Sequence, residues 1–198
     1  MTRTIHPIES ESYAILRSRT DTSALPPLTR AVVERVIHAS ADLDYRDDLV
    51  CDEAQLAAAG EALAAGAPVV CDVAMVAAGI TGIAARSWLN HPRTAELARA
   101  GGTTRSAAGM QLALDDVGPG AVWVVGCAPT ALFALLAMDA RPALVIGLPV
   151  GFVGAAESKA ALRRSGLPAV SNRTEKGGSA VAAAALNALL YADRDSRP

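Results

Sequence analysis

The chain has 198 residues, 52% of them hydrophobic and 19% charged, a balance that excludes a disordered chain and suits one compact domain better than two. Lys and Arg number 18 against 20 Asp and Glu, a net charge of −2, which argues against a general nucleic-acid binder. Three widely spaced cysteines, Cys51, Cys71 and Cys127, form neither a C-x-x-C pair nor a disulfide framework, so a reducing cytoplasm is the expected setting. Met1-Thr-Arg-Thr-Ile-His-Pro7 lacks the apolar stretch of a signal peptide.

The N-terminal third predicts helices. Ile8 to Arg19 is a polar-faced one, and Pro26-Pro27 opens a second, with Leu28, Val32, Val33, Val36 and Ile37 at helical spacing. A polar loop with Asp42, Asp44, Arg46, Asp47, Asp48 and Asp52 follows, then a third helix from Glu53 to Ala65, closed by Gly66. From Pro68 the pattern alternates: a buried strand to Val73, an unassigned Gly/Ala-rich stretch from Met75 to Pro92, and a helix from Thr104 to Asp116 stopped by Gly118-Pro119-Gly120. Strands at Ala121–Val125, Ala143–Ile146 and Pro168–Ser171 alternate with helices at Pro129–Asp139, Ala155–Arg164 and Ser179–Tyr191. Ala121 to Met138 is uncharged and long enough to raise a membrane span, but Gly126-Cys127-Ala128-Pro129 breaks it into strand, turn and helix, so no membrane segment is expected. These features predict an α/β fold: one domain over 1–192, a mostly parallel sheet with helices on both faces (Rossmann- or flavodoxin-like), a helical N-terminal segment and a frayed tail over 193–198. Cys71 and Cys127 should pack at strand ends as small apolar groups.

Parallel strands share a carboxyl edge, where such sheets bind ligands. Gly126–Thr130, Gly147–Gly154 and Asn172–Ser179 meet there, as should the helix start at Thr103-Thr104-Arg105-Ser106. The helix at Glu53 is expected to start on the same edge, which would bring His38, at the end of the preceding helix, close to it. Helix N-termini offer free N–H groups to anions, and Arg105, Lys159, Arg173 and Lys176 lie nearby in this scheme. Taken singly, these glycines and basic residues are ordinary turn and surface residues. Their convergence points to a large polyanionic ligand.

The standard nucleotide motifs and the G-x-S-x-G elbow are absent from the sequence. His6, His38 and His91 lack companions at metal-ligand spacing, so no metal site is expected. A lone histidine is commonly structural, but His38 sits where a helix C-terminus and an acidic loop would favour imidazolium and raise its pKa. It is the candidate general acid.

Several segments resemble the precorrin-8X methylmutases of cobalamin biosynthesis: His6–Ser12, Arg35–Ala39, Gly66–Asp72, Met75–Thr81, Thr103–Ala108, Ala128–Phe133, Gly147-Leu-Pro-Val-Gly-Phe-Val-Gly-Ala-Ala-Glu-Ser-Lys159 and Lys176–Ala180. The likeness runs from about His6 to Leu190. It implies a cytoplasmic homodimer acting on a carboxylate-bearing tetrapyrrole without a cofactor. It also implies the reaction, a methyl shift from C-11 to C-12 of precorrin-8X, or of its cobalt-bearing equivalent, in a proton-assisted [1,5]-sigmatropic step. The family's catalytic histidine falls on His38. Substrate contacts fall on Ser12, Thr81, Thr104, Arg105, Ser106, Thr130, Lys176, Gly178 and Ser179. Three features depart from the family pattern: Cys127 replaces an asparagine, the segment after Thr81 is short and apolar, and Glu175 replaces a basic residue. They motivate a second reading, a corrinoid-binding relative that does not isomerise. A generic nucleotide-binding domain is a third, resting on fold alone.

Overall fold

In a computed structural model that describes residues 6–195, proline or a polar cap marks the starts of five helices. Pro7, Pro27 and Pro129 occupy the first turns of α1 (Pro7–Arg19), α2 (Pro27–Ser40) and α8 (Pro129–Leu136), where the missing N–H costs nothing. The Asp52 and Thr104 side chains accept the backbone N–H groups of Gln55 and Ala107, opening α4 (Glu53–Ala64) and α7 (Arg105–Val117). α9 (Ala155–Arg164) and α10 (Ser179–Asp195) lie where the periodicity predicts them. Residues 196–198 of the expected tail lie outside the described residues.

The strands are β1 (Leu49–Val50), β2 (Val69–Cys71), β3 (Ala85–Ser87), β4 (Val122–Val125), β5 (Leu144–Gly147) and β6 (Ala169–Asn172). They form one sheet in the order β1-β6-β5-β4-β2-β3. All neighbours are parallel except β1, which pairs antiparallel with β6, Leu49 opposite Asn172. The parallel strands thus run second, first, third, fourth, fifth, and the order reverses between β2 and β4. That is the flavodoxin-like arrangement, with its crevice at the reversal.

Strand alternation feeds two cores. Cys71, Val124 and Ile146 point toward α2, α4, α5 (Ala74–Gly79) and α10 on one face. Val70, Trp123 and Val145 point toward α7, α8 and α9 on the other. Each such fully buried side chain stabilises the fold by roughly 1.5–3 kcal/mol. At Gly126 the space is closed: a Cβ there would stand 2.9 Å from Ala182 Cβ and Val76 Cγ2, so only glycine lets α5 and α10 approach the top of β4.

Several expectations need correction. The polar loop contains α3 (Tyr45–Asp48) and β1, both too short for a periodic signal. The unassigned stretch holds α5 and β3, and α6 (Thr94–Ala100) follows it. α4 does not start on the carboxyl edge. The Gln55 side chain accepts the N–H of Ala169, the first residue of β6, so α4 crosses the opposite, amino edge of the sheet toward β2. The chain reaches that edge because β1 runs downward against β6. Cys71 is buried as expected, but Cys127 is exposed, because its turn leaves the sheet instead of continuing β4. Among the described residues no helix is long and apolar enough to cross a membrane.

Candidate active site

His38 reaches the carboxyl edge by a different route from the one the sequence suggests. α2 is anchored at its start, where the Glu53 carboxylate accepts the N–H groups of Leu28 and Thr29, each at 2.8 Å. It climbs from there, ends in a left-handed Ala41 (φ 55°), and hands the chain to Asp42 and Asp44. Both aspartates grip the Lys176 ammonium, at 2.8 and 2.6 Å. The His38 end of α2 is therefore tied to the turn that opens α10.

The His38 ring is held on two sides. Ser12 Oγ of α1 lies 2.8 Å from Nδ1. The Tyr13 ring stacks on the imidazole, with centroids 5.0 Å apart and planes within 5°. The Tyr13 hydroxyl in turn accepts from Arg35 at 3.3 Å. Burial pushes the Tyr13 phenol up against the opposing pull of Arg35, so Tyr13 stays neutral at ordinary pH.

The other sequence candidates fall into three groups. Thr104 and Thr130 join the starts of α7 and α8, their hydroxyls 2.8 Å apart. Arg105 stands exposed in the first turn of α7, with Ser106 partly buried beside it. Lys176, Gly178 and Ser179 form the turn into α10, where Gly178 donates its N–H to Leu148 O at 2.9 Å. Hydrogen bonds from the Lys176 side chain to Asp42 and Asp44 raise its pKa well above the ordinary lysine value. Thr81 lies elsewhere. It donates its N–H to Asn187 at 3.0 Å and shares a hydrogen bond with the Tyr191 hydroxyl, two to three turns down α10 from Ser179. Lys159 is no edge cation: it is fully buried beneath the turn, because α9 packs flush against β6. Arg173 points back, donating to Asp47 O at 2.7 Å.

Two structural features near these residues escape the sequence. Asp72, at the end of β2, spans the strand-order reversal. Its carboxylate accepts the N–H groups of Gly126, Cys127 and Ala128 at 3.1, 2.8 and 2.8 Å, shaping the turn that presents Thr130. Burial pushes this carboxyl up, and those backbone donors oppose the rise. The second feature is a cavity of about 800 Å³ between α1, α2 and the lower half of α10, lined by Tyr13, Arg17, Arg30, Glu34, Arg35 and Tyr191 among others. His38 continues the stripe of Ala31, Glu34 and Arg35 along α2 at helical spacing, toward the carboxyl edge. The β5–α9 loop also projects Phe152 and Val153, 94% and 89% exposed. Among the described residues no group of three His, Cys, Asp or Glu side chains is placed to hold a metal ion.

Comparison with known proteins agrees across sequence and structure. Residues 7–192 match the family described as precorrin-8X methylmutase. The cobalt-precorrin-8 methylmutase of Salmonella typhimurium is 39% identical, covering 96% of each chain. The precorrin-8X methylmutase of Pseudomonas aeruginosa is 43% identical over 92% of this chain and 93% of its own. The crystal structure of a precorrin-8X methyl mutase from Thermus thermophilus superposes with a TM-score of 0.86 at 37% identity, covering 95% of this chain and 96% of that one.

Proposed function

The chain belongs to the precorrin-8X methylmutase family, and on that premise we propose how its own residues carry the reaction. It is an isomerase of cobalamin biosynthesis. Its substrate is precorrin-8X or the cobalt-bearing equivalent, relatives under both names being similar to it. In the proposed step the bond from the methyl group to C-11 breaks as the bond to C-12 forms, with the π electrons shifting around the ring. Product and substrate are isomers, so a proton lent to the macrocycle is recovered.

His38 lends that proton. Protonation makes the conjugated ring electron-poor, which lowers the barrier to migration, and a positioned general acid contributes about 10²–10⁴-fold. The observation that carries this assignment is the imidazole held between Ser12 and Tyr13 at the edge where α7, α8 and α10 begin. Ser12 engages Nδ1, and we assign the proton exchange to Nε2. Arg105 suits a bidentate grip on a substrate carboxylate, Thr104, Ser106, Thr130 and Ser179 supply hydroxyl donors around it, and Gly178, whose N–H is taken by Leu148 O, lets the ligand approach the backbone closely. Thr81 would reach a peripheral group lower on α10. Lys176, already paired, contributes chiefly by fixing its turn. The exposed Phe152 and Val153 suit the apolar faces of the ring. We infer a homodimer in the cytoplasm: the exposed Ile8 and Ile15, two turns apart on α1, offer an apolar stripe to a second copy.

The test is turnover of precorrin-8X to hydrogenobyrinate, followed by absorbance without added cofactor. His38→Ala should lose at least about 10²-fold in kcat and still bind the product. A His38→Ala protein with wild-type turnover would refute the assignment.

A further inference from the structure

Lys159 is fully buried on α9, yet among the described residues no ion pair engages its ammonium. Its amine donates to Asn172 Oδ1 at 2.8 Å and to Lys176 O at 2.6 Å. Taking a lysine out of water is costly, and an apolar side chain of similar length would fill the same space without that penalty. The two acceptors show what the lysine does instead. Lys176 O is the last carbonyl before Gly177-Gly178-Ser179, and Asn172 ends β6.

Asn172 extends the contact. Its amide donates to Asp48 Oδ2 at 2.8 Å and to Lys176 O at 3.0 Å. The Asp48 carboxylate collects the N–H groups of Arg173 and Thr174 at 2.8 and 3.1 Å and the Thr174 hydroxyl at 2.7 Å. Asp48 lies on α3, in the segment that leaves the His38 end of α2. On the far side, Gly177 leaves no room for adjustment: a Cβ there would overlap Leu148 O and stand 2.8 Å from Pro149 O.

We propose that Lys159 is a positioning residue for the methyl shift: from beneath, it fixes the Lys176–Ser179 turn and, through Asn172 and Asp48, locks that turn to the chain segment following His38. The proposal rests on the methylmutase reading for its kinetic consequence, though not for its structural one. The charged groups near the amine are Asp48 from α3, Glu175 from the turn and Arg163 from α9 itself. Burial lowers the amine to about 8, with Arg163 pulling the same way against Asp48 and Glu175. An ammonium has three N–H groups and a neutral amine two, so both acceptors can be served on either side of that titration.

Lys159→Met keeps the length and removes the donors, while Lys159→Gln restores an amide donor. Lys159→Met should stay folded, raise KM and the product Kd about tenfold, the scale of one to two lost hydrogen bonds, and leave kcat within about threefold. Lys159→Gln should recover part of the loss. Hydrogen exchange at the amides of residues 177–179 should accelerate in Lys159→Met and slow again in Lys159→Gln. This exchange is read without substrate, so inactivity of the parent protein would refute the methylmutase reading alone. Unchanged exchange and unchanged KM in Lys159→Met would overturn the proposal. So would unfolding of both variants, which would make Lys159 a stability residue.

Discussion

Ser12 Oγ stands 2.8 Å from His38 Nδ1, so a side chain of the first helix orients a ring carried by the second. Ser12 touches no reacting atom in this scheme. Its role is to choose which imidazole nitrogen meets the substrate, as an orienting partner does for a general acid or base. Ser12→Ala should lower kcat about tenfold, the worth of one hydrogen bond, with product affinity close to that of the parent. Steady-state kinetics on precorrin-8X check this. A tenfold rise in KM with unchanged kcat would assign Ser12 to substrate binding instead.

The strand-order reversal supplies a second prediction. Asp72 satisfies three successive backbone N–H groups of the β4–α8 turn. Asp72→Ala leaves all three buried or half-buried donors without their acceptor, at roughly 1–3 kcal/mol apiece. Urea unfolding at pH 7 should show a loss of about 3 kcal/mol or more, and Asp72→Asn, which keeps one acceptor oxygen, should recover part of it. A loss below about 1 kcal/mol in Asp72→Ala would mean that the turn finds other partners.

What the sequence disclosed and what it hid follow from the range of the forces involved. The parallel sheet was legible because from Pro68 onward continuous apolar strands alternate with helices such as those opened by Thr104 and Pro129, all local signals. α5 and β3 were not, since Ala and Gly between residues 74 and 85 carry no clear period. β1 was not, because two residues cannot show alternation. The placement of His38 at the carboxyl edge was legible, but the reason for it was not: the supposed start of α4 at that edge is absent, and the link is the pairing of Asp42 and Asp44 with Lys176, 132 to 134 residues away in sequence. Lys159 and Asp48 resemble solvated surface residues in a linear reading. Only the packing of α9 on β6 and the antiparallel return of β1 bury them and turn two ordinary charges into parts of one network.

Glu34 yields the acid behaviour. Its carboxylate is buried on α2 and accepts from Arg17 at 2.7 Å, Arg30 at 2.9 Å and the Thr22 hydroxyl at 2.5 Å. Burial alone would raise its pKa, but these hydrogen bonds outweigh it and bring the group down to about 2. A folded-state pKa below the unfolded value, about 4.3, means that this contribution is complete above that pH. It is lost as pH falls toward 2, where the folded form must also take up the proton. The shift corresponds to about 3 kcal/mol. Asp48 is lowered too, its burial outweighed by Asn172, Thr174 and two backbone N–H groups, and adds to the same limb. Urea unfolding at pH 7, 4 and 3 should show stability falling steeply through the acid range in the parent. In Glu34→Gln it should be lower at pH 7 and distinctly flatter below pH 4.5. An acid slope equal to the parent's would shift the acid-sensitive role from Glu34 to the Asp48 network.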